Sequence, residues 1–331
     1  MKVCAIVVTF NRKELLKECI NSLLTQNELP DGIIIIDNNS NDGTMGYLDE
    51  NGIIDKESCL DGSEINKEIY MKNSQSENNI KCVKIYYKIE KINTGGAGGF
   101  YTGLKISIEK GYKYSWIMDD DAIAMNGALY NLLEAENILH RKFGFLASNI
   151  KSDDGYCMNV PQIDLSVNKT GYSNWPEYID KGLIPVKMAT FVSILVNNNI
   201  VRKIGLPVKE MFIWGDDSEF TLRISEKYKC YSVGKSLVTH KRVQVNTLSI
   251  IKEKNKNRID MFFYYYRNQL YFKRKYLNVG VLKIFKNNIK DIFEVLFTKG
   301  DYRFKKSFVI LKGSILGLFF NPSVKFPNGD K

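Results

Sequence analysis

The chain has 331 residues, 44% hydrophobic and 25% charged, with six scattered cysteines and a formal net charge of +10. That composition excludes a disordered chain, collagen and a coiled coil, and the length gives one large domain or two modest ones. Without a C-x-x-C pair, Cys4, Cys19, Cys59, Cys82, Cys157 and Cys230 argue against a zinc ribbon or a disulfide framework and suit a reducing compartment.

In chain order, Lys2–Thr9 reads as a buried strand, and its apolar run is too short for a signal peptide. Lys13–Thr25 carries Leu15, Leu16, Cys19, Ile20, Leu23 and Leu24 at helical spacing. Gly32–Ile36 is a second buried strand, ending in the turn-rich Asp37-Asn38-Asn39-Ser40. Strand, helix, strand at the start predicts a βαβ unit with parallel strands. Asn51–Asn79 is polar and is expected to be an irregular surface excursion. Val83–Tyr87 predicts a strand, Gly99–Lys110 a helix and Tyr114–Met118 a strand. Asn126 is expected to cap a helix running to about His140. A further helix starts within Ile213–Lys227, and Cys230–Thr239 predicts another strand.

Ligands of open α/β sheets sit at the carboxyl ends of strands. Three polar clusters fall there: Thr9–Arg12, Asp37–Asp42 and Asp119–Asp121. In extended backbone Asp119 and Asp121 point one way and Asp120 the other. Two carboxylates on one side suit a hard divalent cation that also holds phosphate oxygens; the alternative is a solvated acidic turn. Asn93-Thr94-Gly95-Gly96-Ala97-Gly98-Gly99-Phe100 fits neither the dinucleotide fingerprint nor a P-loop. It reads as a ligand loop before a helix N-terminus, or as a flexible connector. In Trp214-Gly215-Asp216-Asp217-Ser218-Glu219-Phe220, Asp216 and Glu219 have capping-box spacing. Asp217 then projects from the first turn and is a candidate base beside an aromatic, sugar-binding face. His240 follows a predicted strand and is either structural or a third metal ligand.

From Lys252 to Lys331 there are 18 basic and 6 acidic residues, against 29 and 31 in the rest of the chain. The positive excess lies wholly in this last quarter. Its aromatics, Phe262 to Tyr266, Tyr271, Phe272 and Tyr276, stand among Arg267, Lys273, Arg274 and Lys275. Interleaved basic and aromatic residues suit an anionic membrane surface or a nucleic acid; they also suit a helical tail packed on the core. The apolar stretch Phe308–Phe320 carries Lys312 and falls short of the roughly 20 residues of a spanning helix. A soluble or peripheral cytoplasmic protein is expected.

Val7–Arg12, the turn Ile36–Thr44 and the Asp119–Asp121 triplet resemble glycosyltransferase family 2, with its GT-A fold. The Asn93–Phe100 loop, the segment Trp214–Phe220 and the later His240 are similar to its galactofuranosyltransferase and rhamnosyltransferase branch. The resemblance runs from Met1 to Arg242, and Tyr265-Tyr266-Arg267-Asn268 is similar to a segment that follows the catalytic domain there. It implies an α/β, Rossmann-like, mostly parallel sheet flanked by helices. Residues 1–125 would form the nucleotide-binding half, 126–250 the acceptor-binding half and 251–331 a basic helical C-terminal region.

The resemblance also implies the site. Thr9, Arg12, Asp37 and Asn38 would line the pocket for base and ribose, with Asn93, Gly95, Gly96 and Asp120 bordering the donor. Asp119, Asp121 and His240 would hold Mn²⁺ or Mg²⁺, Asp217 would be the general base, and Trp214, Asp216 and Glu219 would face the acceptor. Here Gly215 separates Trp214 from the two acids, where galactofuranosyltransferases place the tryptophan directly before them. The implied activity is inverting transfer of galactofuranose or rhamnose from a UDP- or dTDP-linked donor to a glycan acceptor. That acceptor is expected to be lipid-linked, at the inner face of the plasma membrane, in cell-surface polysaccharide synthesis; no nucleic acid partner is expected. The competing readings are a nucleotidyltransferase that makes nucleotide sugars and a non-catalytic glycan- or nucleic-acid-binding protein. The first is opposed by Thr9-Phe10-Asn11-Arg12, which stands where a nucleotidyltransferase carries its glycine-rich loop.

Overall fold

The computed structural model describes residues 3–58, 64–72, 80–241 and 248–327. Cys59 and Arg242 lie outside the described residues. The first unit is strand β1 (Val3–Thr9), helix α1 (Lys13–Leu24) and strand β2 (Gly32–Asp37), the two strands pairing in parallel, followed by the short helix α2 (Thr44–Glu50). Successive residues of β1 face opposite sides of the sheet. Val3, Ala5 and Val7 pack toward α1, while Cys4, Ile6 and Val8 pack on the other face against Phe100, Leu104 and Ile108. Both faces are covered, so these strands read as unbroken apolar runs.

Strand β3 (Glu64–Lys72) pairs antiparallel with β4 (Ile80–Ile89) at one edge. The irregular excursion expected over Asn51–Asn79 is thus corrected for this stretch. Ile65, Ile69 and Met71 face the core, and charged residues between them mask the alternation in the sequence. Helix α3 (Gly95–Glu109) leads to β5 (Tyr114–Asp119), which lies parallel to β1. The short strand β6 (Ala122–Ala124) precedes helix α4 (Ala128–Ile138). Asn126 does not cap α4: the residue before the helix is Gly127, at φ +89°, and the Asn126 side chain accepts from the Asn27 amide.

The second half adds β7 (Phe145–Lys151), β8 (Gln162–Ile163), β9 (Leu183–Met188) and β10 (Ser193–Asn197). Helix α5 (Asn198–Ile204), helix α6 (Asp216–Ser225) and β11 (Tyr231–His240) follow. The strand order is β3-β4-β2-β1-β5-β10-β7-β11-β9-β8, with β6 paired to β11. The sheet is mixed rather than mostly parallel: β10 runs antiparallel to both β5 and β7, and β11 antiparallel to β9 and β6. Parallel neighbours need a crossover, usually helical, and no α-helix separates β7 from β10 along the chain.

The last quarter is helical: α7 (Lys256–Tyr276), α8 (Val281–Phe297) and α9 (Arg303–Phe319). Its aromatic run is an inward face, since Phe262, Tyr266, Tyr271 and Phe272 of α7 are buried. Exposed apolar side chains lie instead on α8 and α9.

Candidate active site

The site opens at the carboxyl ends of β1 and β5. The strand β5 delivers Asp119, and the backbone turns at once into β6. Pairing of β6 with β11 sets His240 opposite Ala122, which carries the histidine to the acidic triplet. Ligand atoms of Asp119, Asp121 and His240 all lie within 4.8 Å of one another. His240 Nε2 stands 3.0 Å from Asp121 Oδ1, and Nδ1 stands 2.9 Å from Oδ1 of Asn159. An amide oxygen only accepts, so Nδ1 donates there, which leaves Nε2 to face the acids. Asp121 Oδ1 is buried without a well-formed hydrogen bond. Two carboxylates and an imidazole, with one carboxylate oxygen unsatisfied, fit a divalent cation.

The electrostatics agree. Burial, then the charge of Asp121, pushes Asp119 up to about 7. Burial pushes Asp120 up to about 6 even beside Arg12. Asp121 is buried too, yet the hydrogen bond and charge of His240, with Arg12, hold it below the usual carboxylate range. Close buried acids oppose one another's ionisation, and a bound cation relieves this.

Asp120 points to the other side, where Thr9 Oγ1 donates to it at 2.7 Å and Arg12 Nη1 at 3.1 Å. Arg12 also reaches Asp121 at 2.8 Å. Arg12, Gly96 and Asp120 line the cleft. Asp37 and Asn38 lie buried beside it with their polar atoms engaged within the protein. Asp37 accepts from Tyr87 Oη at 2.5 Å and from the Ser40 amide at 2.7 Å. Asn38 donates to the Gly95 carbonyl at 2.8 Å and accepts from Thr94 at 3.0 Å.

The glycine-rich segment is corrected: it forms the first turns of α3 rather than a loop before it. Asn93 Oδ1 accepts from the Gly95 amide at 2.8 Å. A Cβ on Gly95, at φ +71°, would meet the Phe212 carbonyl oxygen at 2.1 Å, and one on Gly99 would meet Val8 at 2.4 Å. These glycines let α3 press onto β1 and onto the Phe212 loop. Gly96 alone of the four has open space at its Cβ position, with only the Phe100 ring near.

Across the cleft lies the loop Phe212–Gly215. Phe212 and Trp214 hold φ of 66° and 62°, a left-handed conformation that side chains disfavour. Three groups hold it. The Ala97 amide in α3 donates to the Phe212 carbonyl at 3.1 Å. The fully buried Asn268 of α7 donates to the carbonyls of Met211, Ile213 and Trp214 at 2.9, 3.0 and 2.9 Å. Arg267 donates to the Glu210 carbonyl at 2.6 Å and to Asn268 Oδ1. The Trp214 ring rests 5.0 Å from the ring of Phe262. The loop places Asp216 and Asp217 at the start of α6, and both line the cleft with Trp214. Burial raises both carboxyls. The amide and hydroxyl of Ser218 donate to Asp217 Oδ1 at 2.6 and 3.2 Å.

Glu219 does not face this cleft. No side chain caps α6, so the expected capping box is absent. Glu219 is fully buried and takes a two-pronged bond from Arg223 at 2.8 and 2.9 Å, plus one from Tyr276. Its role here is to tie α6 to the end of α7. Sequence reasoning missed Asn159 and the cleft cation Arg258 of α7, and it named Arg267-Asn268 without the clamp they form. Asn159 carried no signal, because its partner lies 81 residues away.

A cleft of about 490 Å³ thus joins a metal-competent triad, a strand-end basic residue and a carboxylate pair beside an aromatic. The fold is GT-A. Similar solved structures are S. aureus TarS 1-349 (TM-score 0.50, 13% identity, covering 96% of this chain and 90% of that one) and the Pyrobaculum calidifontis mannosyltransferase PcManGT with GDP-Man and Mn²⁺ (0.51, 14%, 96% and 74%). GalNAc-T7 with UDP, GalNAc and Mn²⁺ is a third (0.52, 13%, 88% and 55%). The family model "Glycosyl transferase family 2" matches residues 4–57. Curated relatives are the galactofuranosyltransferases GlfT1 of Mycolicibacterium smegmatis (23% identical, 67% of this chain) and Mycobacterium tuberculosis (27%, 67%). The chain matches 65% and 64% of their lengths, just under two thirds. The chain is thus similar to glycosyltransferase family 2 over its first strands and to galactofuranosyltransferases over two thirds of its length.

Proposed function

We propose that this protein is an inverting, metal-dependent glycosyltransferase that moves galactofuranose from UDP to a lipid-linked glycan acceptor at a membrane surface. The observation that carries the reading is the placement of Asp119, Asp121 and His240 in one cleft with Asp217 and Trp214. The names of the curated relatives favour galactofuranose over rhamnose, and with it UDP over dTDP. In this reading residues 1–125 hold the nucleotide, 126–250 the acceptor, and 251–331 brace the acceptor loop and meet the membrane.

Asp119, Asp121 and His240 Nε2 would hold Mn²⁺ or Mg²⁺, which when bound supplies Lewis-acid neutralisation of the donor diphosphate. Arg12 balances the triplet's charge from the donor side. Trp214 offers its face to a sugar ring. Asp217 accepts the proton of the acceptor hydroxyl as that oxygen attacks the anomeric carbon from the side opposite the nucleotide. The new bond is C–O to the acceptor; the bond broken is that from the anomeric carbon to the diphosphate oxygen. Burial raises the Asp217 carboxyl, which strengthens it as a base, and Ser218 fixes its orientation.

The test is thermal stabilisation by UDP and by dTDP, each with and without Mn²⁺. A ligand that binds the folded state raises the melting point by mass action. A Mn²⁺-dependent rise with UDP is expected. No rise with either nucleotide would remove the donor site.

A further inference from the structure

Helices α8 and α9 form a hairpin whose outer surface carries an exposed apolar stripe on each helix. On α8, Leu282, Ile289, Phe293 and Phe297 recur at helical spacing and are all exposed, Leu282 by 87% and Phe297 by 83%. On α9, Phe304, Phe308, Leu311, Ile315 and Phe319 repeat the pattern, with Phe304 at 83% and Phe319 at 79%. Single exposed apolar residues are ordinary; two continuous stripes mark an interaction surface. The opposite face of each helix is packed inside, with Ile284 and Val295 of α8 and Val309 and Ile310 of α9 buried. The stripes are therefore surplus to the fold.

Charge selects the partner. Between Val281 and Phe319 there are 8 basic and 3 acidic residues. Lys283, Lys286, Lys290 and Lys312 are exposed along the stripes. Such a face repels a second copy of itself and attracts a negative surface. Apolar side chains in register with a lysine border are the features of a helix lying in a bilayer interface. Neither helix can cross: each has 17 residues, and no described helix is long and apolar enough to span.

We propose that the α8–α9 hairpin is a membrane-interfacial element, which lays its phenylalanine-rich stripes into the surface of an anionic bilayer. The inference rests on the membrane residence proposed above and not on the transfer chemistry. The aromatic run of α7, by contrast, is spent on the interior and on the acceptor loop. Membrane contact and the cleft are thus linked through α7, which packs against α9 and clamps Trp214 through Asn268.

The test is flotation of the full chain with vesicles of phosphatidylcholine alone or mixed with phosphatidylglycerol. Wild type should float with the mixed vesicles and far less with the neutral ones. The triple variant Phe297→Ser, Phe304→Ser, Phe308→Ser should lose about tenfold or more in partitioning. Its UDP–Mn²⁺ thermal shift, whatever its size in wild type, should stay unchanged, which separates this proposal from the transferase reading. Should the triple variant misfold, Lys283→Glu with Lys290→Glu should lower binding to mixed vesicles on a surface that bears no packing. Wild type that ignores both vesicles, or variants that float as wild type does, would overturn the proposal. So would a dimer in gel filtration that the triple variant dissolves while no vesicle is bound, which would assign the stripes to a second copy.

Discussion

Replacing Asn268 with alanine should disable acceptor transfer while sparing the donor site. The loop it holds contains two side-chain-bearing residues, Phe212 and Trp214, at positive φ. Each such residue costs about 1–3 kcal/mol, so the loop stores roughly 2–6 kcal/mol that its surroundings offset. The Asn268 amide supplies contacts to three carbonyls at 2.9–3.0 Å. The –NH2 has two N–H bonds, so at a net 0.5–1.5 kcal/mol each the clamp contributes about 1–3 kcal/mol, the same order as the strain. Its loss should depopulate the loop conformation by about 5- to 150-fold. Because this loop sets Trp214, Asp216 and Asp217, kcat/KM for the acceptor should fall by that factor. Mn²⁺-dependent UDP affinity, measured by titration calorimetry, should stay within about twofold, since Asp119, Asp121 and His240 do not touch Asn268. Asn268→Asp keeps the shape but turns a donor into a charge facing carbonyls, and should be no better than alanine. An Asn268→Ala enzyme with acceptor kcat/KM within about threefold of wild type would refute the reasoning.

Other outcomes follow from the same geometry. Asp217→Asn should keep UDP binding and lose transfer by about 100-fold or more, as expected for removing a general base; normal transfer would unseat that assignment. Glu219→Ala leaves the guanidinium of Arg223 unpaired in the interior and should cost about 3–5 kcal/mol of stability; a shifted acceptor KM with an unchanged melting point would contradict the placement of Glu219. Asp119 and Asp120, raised to about 7 and about 6, keep protons in the folded state that the unfolded chain releases near its ordinary carboxylate range. Stability of the metal-free protein should fall, on their account, as pH rises through that window, while the lowered Asp121 contributes stability that is lost only as pH falls below it. Mn²⁺ binds the ionised carboxylate of Asp119, so its gain in melting point should grow as pH rises through about 7. A gain that is flat with pH would mean that Asp119 is not its ligand.

Much of the fold was legible because its first half obeys local rules. The apolar runs of β1, β2 and β5 mark strands buried on both faces, and α1 shows its inward stripe directly. The second half was harder. The edge strand β3 hides its alternation among charges, and β10 sits between β5 and β7 by a placement that no local pattern encodes. The glycines of α3 looked like a ligand loop because the sequence shows freedom of backbone but not what presses against it. Only the packed structure puts the Phe212 carbonyl where a Gly95 Cβ would be.

The same division holds for the site. Asp119 and Asp121 were readable, since acids at the end of a buried strand are costly without a cation. The place of Asp217 beside Trp214 at a helix start was readable, and the structure sets both in the cleft. Asp216 and Glu219 looked equivalent to each other in sequence, and tertiary structure separated them: one faces the cleft, the other meets Arg223 and Tyr276. His240 joined the metal-competent cluster only through pairing of β6 with β11, and Asn159 and Asn268 gained their contacts from partners 81 and 54 or more residues away. Sequence alone determined what each strand end could bind, because chemistry belongs to side chains. Which of those ends share one cleft was decided by long-range pairing, because the contacts that bring them together are made between segments that carry no record of each other.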